Sequence, residues 1–109
     1  MASLRRLAFG PRELLHVASL VMRLRVWVEL LHDLPGDPEA CRELRRLAGA
    51  LVHHADQRDW PALGAAAGAV VKYLSGPLDA RAGGPLRVLA LRVERVVDQP
   101  VPRLERDPG

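Results

Sequence analysis

Apolar residues recur every three to four positions through four stretches of the chain, the spacing of a helix that buries one face. The clearest stretch sets Cys41, Leu44, Leu47, Ala48, Leu51, Val52 and Ala55 against Arg42, Glu43, Arg45, Arg46 and His53. It opens at Asp37-Pro38-Glu39, where the Asp37 carboxylate can cap free backbone N–H groups and Pro38 loses nothing by having none. A following helix opens at Trp60-Pro61 with Asp59 as its expected cap, buries Leu63, Ala67, Val70, Val71 and Leu74, and stops at Gly76-Pro77. Gly64 and Gly68 lie four apart on one of its faces. Each costs about 1 kcal/mol of helix propensity, and the close approach of a neighbouring helix would offset that cost. The last helix opens at Pro85 and turns Leu86, Leu89, Ala90, Val93, Val96 and Val97 inward; it is rich in valine, but its arginine spacing favours helix over strand.

The first helix opens at Gly10-Pro11, with Glu13 in its first turn, and ends before Leu34-Pro35-Gly36. The four helices are therefore expected near 11–33, 38–56, 60–75 and 85–98. Short joints force neighbours to run back alongside each other, so the expected fold is all-α, an antiparallel bundle of about four helices built from two helical hairpins. Residues 1–98 make a single domain, and 99–109, with three prolines and little to bury, a flexible tail.

The first helix departs from the pattern of the others. Arg12, His16, Ser19 and Arg23 line one stripe of its first half, whereas Arg25, Glu29 and His32 line a different stripe of its second half, so its buried face is expected to shift along its length. Between them Val21, Met22, Leu24, Val26, Trp27, Val28, Leu30 and Leu31 put apolar atoms almost all the way round. Two readings follow: a central helix covered on every side, or an exposed apolar patch that binds a second chain. On the second reading Trp27 is the anchor, Leu24, Val28 and Leu31 extend the patch, and Arg23 and Arg25 form its polar edge.

Composition supports helices. The chain has 109 residues, 49% hydrophobic but only 4% aromatic, and contains no Ile, Thr or Asn, which removes most of what strands and tight hairpins use. Its 16 basic and 13 acidic residues leave a net charge of +3, and Lys72 is the single lysine. An arginine-rich surface suits both protein interfaces and phosphates, and it is also what GC-rich coding produces. Arg42, Arg45 and Arg46 cluster on one helix face and are the expected contacts if the chain binds nucleic acid. Interleaved acidic residues and the scarcity of stacking aromatics weigh against that function. The lone Cys41 allows no internal disulfide, which points to the cytoplasm. Met1–Phe9 lacks the pattern of a signal peptide, and Leu14–Leu31 carries Arg23, Arg25 and Glu29, which a membrane span would not tolerate.

Residues with catalytic potential do not assemble into a known pattern. Cys41 and His53 are roughly 18 Å apart along one helix, too far to share a metal ion. Folding the first hairpin about Pro35 does bring His16 toward His53 and His54, without an evident carboxylate to orient them. Ser3, Ser19 and Ser75 lie outside any nucleophile elbow, and Gly83-Gly84-Pro85 lacks the Gly-Lys-Ser/Thr ending of a phosphate loop. Asp56 and Asp59 are explained by capping. The expectation is a non-enzymatic chain with no cofactor and no metal.

Two family resemblances bear on function. Leu51 to Lys72, with Asp59-Trp60-Pro61-Ala62-Leu63 opening an Ala-rich helix, resembles histidine phosphotransfer domains; Gly68 stands where those domains carry the phosphoryl-accepting His, so the resemblance implies no phosphotransfer. From about Trp27 to Val97 the order is Leu34-Pro35, an amphipathic helix, Asp59 with Leu63, an Ala-rich helix ending Leu74-Ser75-Gly76-Pro77, and a basic terminal helix. That order resembles the small all-helical CATRA-associated proteins of bacterial conflict systems. It implies a non-enzymatic role as accessory partner of a larger effector protein; the apolar first helix allows either such a partner chain or a second copy.

Overall fold

A computed structural model describes residues 11–78 and 81–98 of the chain. Among these residues four helices occur: α1 Pro11–Asp33, α2 Pro38–Gln57, α3 Pro61–Ser75 and α4 Gly83–Val97. No strand occurs among the described residues, and the valine-rich last segment is helical. The expected tail at 99–109 and the residues before Pro11 lie outside the described residues.

Helix ends follow local chemistry. Asp37 is the N-cap of α2, its Oδ2 accepting from the Ala40 N–H at 2.9 Å, with Pro38 in the first turn. The joint before it turns on Gly36 at φ 85°, a left-handed conformation that glycine adopts at little cost. At the α2–α3 joint the expectation was wrong in one respect. The N-cap of α3 is Trp60, whose side chain makes no capping hydrogen bond, and Asp59 instead takes the left-handed conformation at φ 53°. An aspartate tolerates that conformation better than most residues do. Trp60 lies inward, 3% exposed, and its backbone N–H donates to the Ala55 carbonyl at 2.8 Å.

Each helix packs on two others, α1 on α2 and α4, and α3 on α2 and α4, around one core. The contacts run in opposing chain directions: Glu13 meets Arg58 and His16 meets His54, while Arg25 meets Glu94 and Glu29 meets Arg87. Between α2 and α3, Arg45 meets the end of α3 at Leu74 and Ala55 meets its start at Gly64. The core is aliphatic, with Leu24, Leu44, Leu47, Leu51, Leu63, Leu74 and Leu86 among its largest sealed side chains, and among the described residues no polar or charged residue is buried.

Two expectations about packing are corrected here. The face of α1 that enters the core does not shift: Val17, Val21, Leu24, Val28 and Leu31 are buried at alternating spacings of four and three, a straight seam along the helix. Nor do both glycines of α3 serve close approach. A Cβ on Gly64 would meet the Ala55 Cβ at 3.5 Å, an ordinary contact, and one on Gly68 would meet nothing within 4 Å.

Candidate functional site

The core seam of α1 determines what its other side presents. At 100° per residue, Leu15, Ser19, Met22, Val26 and Leu30 fall within a narrow arc diametrically opposite the buried seam. Leu15 is 71% exposed, Met22 69%, Val26 58% and Leu30 39%. With Ala18, Ser19, Arg23 and Trp27, the first three line an open groove of about 410 Å³. The helix is apolar on two opposite faces, and the bundle covers one of them.

This moves the surface expected from sequence. Leu24, Val28 and Leu31 are at most 2% exposed and form part of the core, so they extend no surface patch. A residue sealed among its own helices cannot reach a second chain without unfolding. Trp27 is half-buried, packed against the core at the flank of the exposed stripe. Arg23 is exposed beside the groove, whereas Arg25 turns to α4 and pairs with Glu94 at 2.6 Å. Leu15, Met22, Val26 and Leu30 carry the exposed face instead. The outward positions Leu15, Ser19, Met22, Val26 and Leu30 recur at nearly the same spacing as the seam, so no signal in the sequence separates the two faces.

Ion pairs tie the flank of α1 to α4. Arg87 reaches Glu29 with two nitrogens, Nε to Oε2 at 2.7 Å and Nη2 to Oε1, and holds the Glu29 carboxyl below its usual range. Both partners lie on the surface, where such pairs add little to stability but fix which helix faces which.

The arginine cluster of α2 is largely engaged within the chain. Arg46 forms a two-point pair with Glu43, 3.0 Å at each contact, which lowers the Glu43 pKa. Arg45 donates from Nε and Nη2 to the Leu74 carbonyl at 3.3 and 3.1 Å, satisfying a backbone acceptor at the end of α3. Arg42 is exposed on the same helix.

The three histidines do approach one another. His16 and His54 rings lie 5.0 Å apart, edge to face, and His53 and His54 rings 6.2 Å apart. Burial, then the charges of His16, His53 and Arg58, push the His54 imidazole below its ordinary pKa, while Glu13 acts the other way. Glu13 is itself bonded to Arg58 at 2.7 Å. No group of three His, Cys, Asp or Glu residues among the described residues is arranged to hold a metal ion. No helix among the described residues is long and apolar enough to cross a membrane. The chain matches no family model, no curated protein and no solved structure.

Proposed function

We propose that this chain is a non-enzymatic helical interaction module that binds another protein surface through the outer face of α1. The observation that carries the reading is the second apolar face of α1, with Leu15, Met22, Val26 and Leu30 exposed opposite the core seam. Exposed apolar residues scattered singly are ordinary, but a contiguous stripe over about four turns costs solubility and marks an association surface. The absence of Asp, Glu or Lys within that arc between Leu15 and Val26 supports it further. An accessory role of the kind implied by the resemblance to CATRA-associated proteins belongs to this reading, as does a cytoplasmic setting, which the single Cys41 supports.

The test is a photo-crosslinking residue placed at Val26 in the full chain, expressed in its native cells, beside the same probe at Val88. Val88 is 59% exposed on α4 and serves as a surface of equal accessibility away from the stripe. The reading expects a discrete crosslinked polypeptide from position 26, lost when Met22→Glu is added. Equal, diffuse crosslinking from both positions overturns it.

A further inference from the structure

We infer that the outer face of α1 receives the same face of a second copy of this chain, in antiparallel register about a twofold axis between Met22 and Arg23. The inference rests on the proposed function and names the partner.

Three features of the stripe lead there. The first is charge at its two ends. Arg12 lies three residues before Leu15 and Asp33 three after Leu30, so both fall on the outer face, and both are exposed. A parallel pairing would set Arg12 against Arg12 and Asp33 against Asp33. The antiparallel pairing sets Arg12 against the partner's Asp33 twice, once at each end. It also brings Arg12 to the C-terminal end of the partner helix and Asp33 to the N-terminal end, the favourable sense for both macrodipoles.

The second feature is size complementarity in that same register. With Arg12 opposite the partner's Asp33, Leu15 falls opposite the partner's Leu30, and Ser19 opposite the partner's Val26. Each contact occurs twice because a twofold interface is its own complement. The charge register and the packing register therefore coincide without adjustment.

The third feature lies at the axis. Met22 meets the partner's Met22 across it, two flexible thioethers that adapt to each other, while Arg23 lies on the opposite edge of the face with its guanidinium left in water. The exposed stripe from Leu15 to Leu30 spans about 22 Å of helix, enough for four turns of contact.

The experiment uses the full chain. Sedimentation equilibrium is expected to show a concentration-dependent species of twice the 12.0 kDa chain mass. Met22→Glu and Val26→Glu, both at exposed positions, should each raise the dissociation constant at least about 100-fold by burying an unpaired charge, while the helical signal and melting temperature stay as in the parent. Register is read in a Cys41→Ser background by mixing Leu15→Cys and Leu30→Cys chains under mild oxidation. The mixed disulfide is expected, and neither chain alone should crosslink to itself. A chain that stays monomeric to millimolar concentration, a dimer indifferent to both Glu variants, or self-crosslinked Leu15→Cys would overturn the inference. A monomer whose Val26 probe still crosslinks one different polypeptide would leave the interaction reading standing and remove only the second copy.

Discussion

Gly83, the first residue of α4, sits directly against His32 in the last turn of α1. A Cβ built on Gly83 would lie 2.6 Å from His32 Nδ1, 2.8 Å from its Cβ and 3.0 Å from its Cα. The imidazole could swing away, but the Cα belongs to the backbone of α1. Gly83 thus lets the chain return from α3 and seat α4 against the end of α1, which in turn sets the alignment of Arg25 with Glu94 and Glu29 with Arg87. Gly83→Ala is expected to destabilise the fold by about 1–3 kcal/mol, as overpacking against an immobile neighbour does. Gly84→Ala, with nothing within 4 Å of its Cβ, should be tolerated. Chemical denaturation of the two variants side by side checks this.

Glycines inside α2 and α3 behave in the opposite way. Neither Gly49 nor Gly68 would bring a Cβ within 4 Å of another atom, and both are helical. Replacing either by alanine removes unfolded-state freedom and exposed backbone without a clash, so Gly49→Ala and Gly68→Ala should each stabilise by about 0.5–1 kcal/mol. The gains should add, because the residues are on different helices and a Cβ at either meets no other atom within 4 Å.

Stability should fall on mild acidification. Burial, with His16 from α1 and His53 and Arg58 from α2 and its C-cap, depresses the His54 pKa in the folded chain, Glu13 opposing. The unfolded chain, with its imidazole near about 6.5, then binds that proton more readily than the folded chain. Stability is therefore fully present above that value and declines as pH drops through it toward the folded-state pKa. His54→Gln is expected to flatten this part of the profile. Glu29 and Glu43, both depressed by arginine, act separately at lower pH, where protonation breaks their pairs. Urea midpoints measured from pH 8 to pH 4 on the parent and His54→Gln resolve the two regions.

The α2 arginines should separate by their partners. Arg45→Ala removes both donors to the Leu74 carbonyl and is expected to cost about 0.5–1.5 kcal/mol. Arg42→Ala, on an exposed position without such a bond, should stay within about 0.5 kcal/mol of the parent. If these arginines instead serve nucleic acid, the parent will be retained on DNA or RNA at low salt, and replacing Arg42, Arg45 and Arg46 together will release it. The expected result is no retention.

Helix boundaries were legible in the chain because proline, glycine and aspartate act within a few residues of where they stand. Pro11, Pro38 and Pro61 each open a helix, and Gly36 and Gly76 follow helix ends, as their backbone chemistry requires. The approach of His16 to His54 was legible too, since a short hairpin about Pro35 leaves little choice of partner. The cap position expected at Asp59 falls one residue early, because a short carboxylate suits both capping and a left-handed turn and local sequence does not separate the two.

What the sequence could not determine was which apolar face of α1 enters the core. Leu15, Met22, Val26 and Leu30 are as apolar as Leu24, Val28 and Leu31, and hydrophobicity alone has no direction. Only the placement of α2 and α4 against one side made the first set surface and the second set core. The outward stripe is thus a consequence of tertiary packing: two neighbouring helices cover one flank of α1, and the residues on its far side are left to whatever meets them next.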